Sequence, residues 1–195
     1  MNKSGFVDGD DMKRKMTKEI LAESFREIAE NRPVDKITIQ EIVDNCGYSP
    51  ATFYRHFKDK YDLIAWDYVN QSSEIMDKVG INDYAWKDTL TEGIQFFLKN
   101  KDYMQNLLRH TSGHDAFVKH LSEANTVHLT KCILKLTEKK ELDADLSILA
   151  KIYCFGTVQI VCQWLLDEIK CDGDQLAELF EKALPNPLQV ILCKK

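Results

Sequence analysis

Hydrophobic residues recur at every third or fourth position along most of the chain, which is the spacing of amphipathic helices. The first such stripe lies in a helix expected from Lys13 to Glu30, and Asn31-Arg32-Pro33 ends it. No part of the sequence is rich in the alternating pattern of strands. The pattern therefore predicts an all-α protein.

Several longer helices are expected after residue 58. The first is a helix of about twenty residues after Asp59, and two shorter helices start near Trp86 and Asp102. The remaining helices are expected over 115–139, 146–169 and 175–184. Breaks between helices are expected at 80–83 and 111–113. The segment 146–169 is apolar almost all round, so most of its faces should be buried. Gly156 in its middle predicts a close approach of another backbone, because glycine is unfavourable inside a helix.

Signals for two short helices joined by a tight turn lie within the first third of the chain. Thr38 and Glu41 have the spacing of a capping box. Gly47 tolerates the positive φ that a tight turn needs. Ser49 is a strong N-cap, and Pro50 suits the first helical position. The pattern predicts a helix-turn-helix, and an ordinary corner between packed helices is the alternative.

The charge distribution is more informative than the net charge of −5, which by itself disfavours a nucleic-acid partner. Between Met12 and Tyr68, ten basic residues balance ten acidic ones. The positive charge concentrates at 13–18 and 55–60. Two such clusters suit a phosphate backbone, and solvated surface charge is the alternative.

Other candidate chemistry is sparse. The six cysteines form no C-x-x-C pair, which indicates reduced thiols in a cytoplasmic protein. His110 and His114 are separated by Ser112-Gly113, so a metal site is not expected. No catalytic or cofactor motif occurs, so neither an enzyme nor a cofactor is expected. Without an apolar run of eighteen residues or a secretory signal, no membrane partner is expected.

The run SPATFYRHFKDKYDLI, residues 49–64, resembles the signature of the TetR/AcrR family of bacterial transcriptional regulators. The resemblance is specific from Met16 to Tyr68 and only architectural beyond. It implies an all-α fold with an N-terminal three-helix helix-turn-helix head and a C-terminal helical bundle for dimerisation and effector binding. The expected division is a disordered arm over 1–11, a DNA-binding domain over 12–58 and an effector-binding and dimerisation domain over 59–195.

The second helix of a helix-turn-helix enters the major groove, with its N-terminal residues nearest the bases. The resemblance adds phosphate contacts for Tyr54, His56 and Lys60, and core positions for Phe53 and Phe57. The expected DNA-binding residues are Thr38, Ser49, Pro50, Ala51, Thr52, Tyr54, Arg55, His56 and Lys60.

Pro50 has no polar side chain with which to contact a base, so base discrimination would rest mainly on Thr52 and Arg55, with Tyr48 as a further candidate. Thr38 heads a helix whose N–H groups favour a phosphate. If Lys60 contacts a phosphate, Lys60→Ala lowers affinity for every DNA sequence and flattens its salt dependence.

The resemblance also implies a homodimer, with 146–169 and 175–184 pairing with their two-fold mates. A helix buried only by its own chain is the alternative. It further implies a cavity for a small apolar or aromatic effector, although aromatic residues at helical spacing more often fill a core. The candidate lining residues are Tyr68, Trp86, Phe97, Tyr103, Leu107, Phe117, Tyr153 and Trp164.

These observations predict a regulator, most often a repressor by family, that binds a palindromic DNA operator as a dimer and is released by a small-molecule effector. One alternative is an activator controlled by a protein co-regulator, because the same residues resemble a subgroup that includes regulators of dihydroxyacetone kinase operons. Another is a helical ligand-binding or interaction protein without DNA binding.

Overall fold

The computed structural model describes residues 9–110 and 114–193, with side chains described over 17–110 and 117–193. Within these ranges the regular elements are helices and no strand occurs, which confirms the all-α prediction. The helices are α1 (Gly9–Ala29), α2 (Ile39–Cys46), α3 (Pro50–His56), α4 (Lys60–Asp77), α5 (Trp86–Lys99), α6 (Lys101–His110), α7 (His114–Thr137), α8 (Ala144–Leu165), α9 (Gly173–Lys182) and α10 (Asn186–Leu192). One turn of 3-10 helix, Val34–Lys36, precedes α2.

The start of the first helix differs from the sequence prediction. Helix α1 begins at Gly9 rather than Lys13, and acidic Asp10 and Asp11 are residue types that suit the first turn of a helix. Residues 9–11 of the predicted disordered arm are therefore helical, and the rest of that arm lies outside the described residues. The predicted turn at 111–113 also lies outside them.

Helix α10 was not predicted, because Pro185 looked like the end of the last helix. Pro185 does follow α9, but it is also the N-cap residue of α10, and Pro187 occupies that helix's first turn. Proline is tolerated in a first turn because the N–H it lacks would have no partner inside the helix. The short helix buries Leu188 and Leu192.

The chain divides into two compact units between Asp67 and Tyr68, inside α4. In the first unit, α1, α2 and α3 surround a core whose side chains include Leu21, Phe25, Ile42 and Phe53. The boundary between a DNA-binding domain ending at residue 58 and an effector-binding and dimerisation domain starting at residue 59 stays a prediction.

The second unit is built mainly from two helix pairs, α7 with α8 and α5 with α9. Its core includes Trp86, Leu129, Ile133, Tyr153 and Leu188. Helix α8 is also the one helix in the described ranges that is long and apolar enough to cross a membrane, but core helices of soluble proteins share both properties. Eight residues of α8 are buried in this structure.

Candidate functional site

The turn between α2 and α3 has the capping geometry that its sequence predicts. The Glu41 backbone N–H donates to the Thr38 hydroxyl at 3.2 Å, and the Thr38 N–H donates to the Glu41 carboxylate at 2.8 Å, which completes the capping box. Gly47 ends α2 with a φ of 73°. The Thr52 N–H donates to the Ser49 hydroxyl at 3.2 Å, with Pro50 in the first turn of α3.

Apolar contacts and hydrogen bonds fix the angle of this pair of helices. Phe53 and Phe57 are buried, as the family resemblance implies, and their ring centroids lie 5.7 Å apart. The Ser24 hydroxyl of α1 donates to the Ile42 carbonyl at 2.7 Å. The Asn45 amide of α2 donates to Ser24 at 3.1 Å and to the Glu27 carboxylate at 2.8 Å. Helix α2 is therefore held against α1 by three hydrogen bonds, one of them buried, as well as by packing.

One face of α3 points to solvent. Ser49, Ala51, Tyr54 and Arg55 are exposed, and Tyr54 keeps 59% of its surface accessible, which is unusual for a tyrosine. The remaining expected DNA-binding residues are exposed Thr38 and half-buried Pro50, Thr52, His56 and Lys60. The Thr52 hydroxyl lies 3.1 Å from that of Ser49, so both belong to the cap as well as to the outer face.

Lys60 has a structural task that the sequence did not reveal. Its ammonium donates to the carbonyl oxygens of Val34, Asp35 and Ile37 at 2.8, 3.1 and 2.8 Å. These three acceptors match the three donors of an ammonium group. Burial lowers the pKa of Lys60, with the charges of Asp35 and others opposing that shift. A phosphate contact by Lys60 stays a prediction. In the structure, Lys60 stabilises the segment 34–37, which precedes α2, through its hydrogen bonds.

We expect Lys60→Ala to lower the free energy of unfolding by about 2 kcal/mol, because two part-buried carbonyls and one exposed carbonyl lose a charged donor. Urea denaturation followed by circular dichroism measures this loss. Lys58→Ala is the matched control, because Lys58 is an exposed lysine two positions away. Equal stability of the two variants would contradict the structural role.

Glu41 connects the cap of α2 to the preceding loop. Hydrogen bonds from the Thr38 N–H and hydroxyl, joined by the Arg32 guanidinium, lower the pKa of Glu41 from 4.5 to about 2. A lowered carboxyl pKa means that the ionised form is favoured in the folded state. The resulting stabilisation is present above pH 4.5 and is lost as the pH falls towards 2.

Glu41→Gln is therefore expected to be less stable than the unmodified protein at pH 6, with the difference shrinking between pH 4.5 and 2. Thermal unfolding at a series of pH values measures both curves. Asp44→Asn, an exposed acidic residue of the same helix, is the control. A stability difference for Glu41→Gln that does not vary with pH would rule out this account.

The second unit contains a partly open cavity of ≈ 110 Å³, and half of the expected effector residues line it. Tyr68, Trp86, Phe97 and Tyr153 line it. Three more lie outside its lining: Leu107 and Phe117 are buried elsewhere in the core, and Tyr103 is half-buried on α6. Trp164 lines a separate depression of ≈ 600 Å³, where its indole donates to the Cys171 carbonyl at 2.9 Å.

Sequence reasoning missed part of this cavity. Its lining also includes Met76, Thr89, Phe96, Asn125 and Thr157. Thr89 has a recognisable signal, because it is a polar residue at helical spacing within an otherwise apolar stripe of α5. Asn125 has no such signal, since its role arises from a hydrogen bond across the fold to the Tyr68 hydroxyl, at 2.8 Å.

Helix α8 also presents an apolar stripe to solvent. Ile148 and Ile152 are 58% and 62% exposed, and Gly156 continues the stripe one turn further on. The single chain leaves this face uncovered, and its burial by a second copy stays a prediction. The close approach predicted at Gly156 is absent within the chain, since no atom lies within 4 Å of where its Cβ would stand. On α9, Leu179 is likewise exposed.

A capped helix-turn-helix in an all-α chain, with the second helix facing outward, defines the class of helix-turn-helix DNA-binding regulators. More specifically, the chain belongs to the TetR family. Residues 20–65 match the family model for bacterial regulatory proteins of the tetR family, and residues 84–186 match the model for a transcriptional regulator C-terminal region. The chain is therefore a DNA-binding transcriptional regulator of the TetR family.

Individual relatives are distant. The HTH-type dhaKLM operon transcriptional activator DhaS of Lactococcus lactis subsp. lactis (strain IL1403) is 24% identical over 96 residues, which is 47% of this chain. The match spans about half of that relative, 49% of its length. The solved structure of the dihydroxyacetone kinase operon activator DhaS superposes with a TM-score of 0.60 and 16% identity, covering 90% of this chain and 98% of that one.

Two further solved structures share the fold. A TetR transcriptional regulator from Streptococcus agalactiae 2603V has a TM-score of 0.59 and 16% identity, over 93% of this chain and all of that one. The regulator FadR from Bacillus subtilis, in complex with stearoyl-CoA, has a TM-score of 0.50 and 20% identity, over 89% of this chain and 97% of that one.

Proposed function

We propose that this protein is a cytoplasmic, dimeric TetR-family regulator that binds a palindromic operator and releases it when a small molecule binds. The observation that carries the proposal is the outward face of α3, which stays exposed while the other side of the helix is anchored by buried Phe53. Such a face suits a major groove, because side chains there must be rigidly held yet accessible. The proposed role is recognition and switching, without catalysis.

Within this proposal the expected DNA-binding residues divide into two groups. Thr52, Arg55 and the neighbouring small residues at the start of α3 approach the bases, and Tyr54 and His56 contact phosphates. Exposure of Tyr54 and Arg55 supports this division. The two half-sites would lie about one helical turn of DNA apart, roughly 34–36 Å, so the dimer must hold its two α3 helices at that separation.

The exposed stripe on α8 supports the proposed dimer. Ile148 and Ile152 expose aliphatic side chains on neighbouring turns, which is costly in water unless another surface covers them. Open space above Gly156 leaves room for a second backbone. A second copy related by a two-fold axis would place the same stripe opposite itself.

The cavity in the second unit supports control by a small molecule. An effector changes operator affinity only if it binds one of two conformations better than the other. Stearoyl-CoA bound to FadR is an example of a ligand in a protein of this fold. We propose the same kind of switch here, with α4 as the element that responds.

A second candidate function is activation rather than repression. The observation that favours it is the similarity to DhaS, which is named as an activator. In that case a protein co-regulator could replace the small molecule. Copurification from lysate under conditions that preserve complexes separates the two models.

The first experiment is a gel shift with the DNA upstream of this protein's own gene. We expect a sequence-specific complex with a footprint of two inverted half-sites. Tyr54→Ala and Arg55→Ala should weaken that complex without unfolding the protein, because both side chains are exposed. Binding that is equally strong to unrelated DNA, or unaffected by both substitutions, would contradict the proposed interface.

A further inference from the structure

Two polar groups that line the cavity of the second unit are buried without a hydrogen bond. Trp86 and Thr89 are only 3% and 5% exposed, and neither the indole nitrogen nor the hydroxyl has a hydrogen-bond partner in the part of the chain that the structure describes. Trp86 approaches the Tyr153 hydroxyl, and Thr89 approaches that of Tyr84, but neither approach has the geometry of a hydrogen bond.

Such groups are rare in native structures and call for a physical explanation. The Tyr153 hydroxyl directs its own proton elsewhere, to the Phe180 carbonyl at 3.0 Å. Trp86 and Thr89 lie three positions apart on α5, so their side chains share one face of that helix. A ligand oxygen between them would meet an N–H donor and a hydroxyl that can donate or accept.

The cavity has no charged partner for an ionic ligand. Its lining contains no Asp, Glu, Lys, Arg or His. Its titratable groups remain neutral near pH 7, because burial raises the pKa of Tyr68 to about 12 and that of Cys154 to about 12. An anion or cation entering this space would lose its hydration without a compensating charge.

The size and walls of the cavity favour a single ring. Its volume of ≈ 110 Å³ is of the order of the engineered cavity, roughly 150 Å³, that holds one benzene molecule in another protein. The Tyr68 and Phe97 rings are stacked with centroids 6.2 Å apart, and Phe96 packs edge-on against Phe97 at 5.6 Å. Flat aromatic walls of this kind pack well against a flat ligand.

We propose that the cavity takes a compact, neutral, single-ring organic molecule whose oxygen accepts a hydrogen bond from the Trp86 indole and pairs with the Thr89 hydroxyl. The ligand class follows from the cavity, but the ligand's role as an effector rests on the proposed function. The proposal adds to that function the chemical class of the effector. The lining offers no charged partner for carboxylates or acyl-CoA thioesters, so both classes are disfavoured. The class is therefore unlike the ligand of FadR.

The test uses phenol as the probe, with benzene and benzoate as matched ring compounds that lack the neutral oxygen. In ¹H–¹⁵N spectra the three tryptophans give separate indole signals, and Trp86→Phe identifies the one from Trp86. Phenol is expected to shift the Trp86 indole proton saturably to lower field. Benzene should bind without that shift, and benzoate should not bind at the same concentrations.

Thr89→Val removes the hydroxyl while keeping the shape of the side chain. It is expected to weaken phenol binding about three- to tenfold and to leave benzene binding unchanged. It should also raise the melting temperature of the ligand-free protein by about 2–4 °C, because an unpartnered buried hydroxyl is removed. The control is Thr91→Val on the same helix, outside the cavity, where the hydroxyl donates to the Lys87 carbonyl at 3.0 Å.

Benzoate binding as tightly as phenol, or unchanged phenol affinity in Thr89→Val, would overturn the assigned ligand class. The gel shift without any probe is scored separately. Failure to bind DNA there counts against the proposed function but leaves the spectra to decide the cavity chemistry. Specific DNA binding together with a cavity that prefers benzoate overturns only the ligand class.

Discussion

Phe53→Ala is expected to lower the free energy of unfolding by about 3–5 kcal/mol and to abolish operator binding. The ring is fully buried, at 0% exposure, between α3 and the helices beneath it. Helix α3 has only seven residues, and a helix this short is held by tertiary packing rather than by its own hydrogen bonds. Removing the ring leaves a cavity at the only buried side chain between Pro50 and His56.

The adjacent residue provides the matched control. Tyr54 packs edge-on against Phe53 with ring centroids 5.7 Å apart, yet it is 59% exposed. Tyr54→Ala should therefore cost about 1 kcal/mol or less of stability and still weaken DNA binding. Urea denaturation and fluorescence anisotropy with labelled operator measure the two effects. If Phe53→Ala kept full operator affinity at 25 °C, the buried ring would not be what positions α3.

The helix-turn-helix was predictable because its determinants are local. The capping box of Thr38 and Glu41, the positive φ of Gly47 and the cap at Ser49 each involve residues no more than three or four positions apart. Such signals can be read from a single sequence, and their agreement over a short stretch specifies the turn. The structure adds the buried link from Ser24 to the Ile42 carbonyl, eighteen positions away.

The features that the sequence did not reveal depend on contacts between distant residues. The sequence predicts a phosphate contact for Lys60, but it does not reveal that the ammonium reaches carbonyls 23 to 26 positions earlier in the chain. Thr89 is recognisable in the sequence only as a polar residue within an apolar stripe, because only the folded second unit shows that its hydroxyl is buried without a partner. In both cases the role of the side chain comes from the elements that surround it.

The apolar character of α8 illustrates a different limit. Periodicity correctly predicted a long apolar helix, but it could not decide whether the same chain or a second copy covers each face. The structure separates these faces: Tyr153 and Cys154 are buried, whereas Ile152 on the adjacent position is 62% exposed. This apolar face is exposed in the single chain, and its burial against another surface would account for its composition.

Ile152→Glu is expected to convert the protein from a dimer to a monomer at micromolar concentration and to lower operator affinity at least about a hundredfold. In an isologous interface each substitution appears twice, so two carboxylates would be buried near the two-fold axis. A monomer also loses the gain from binding two linked half-sites, which is roughly 10²–10⁴ in affinity. Light scattering and operator anisotropy measure the two effects independently.

Val127→Glu provides the control for this experiment. Val127 lies on α7 and is 52% exposed, so a carboxylate there also replaces an exposed branched aliphatic side chain on a helix of the second unit. If the stripe on α8 is the dimer interface, Val127→Glu remains dimeric and binds DNA normally, while Ile152→Glu fails in both assays but keeps its helical circular dichroism spectrum. A dimeric Ile152→Glu variant would show that α8 does not form the interface, and the partner of this apolar stripe would then have to be something other than a second copy of the chain.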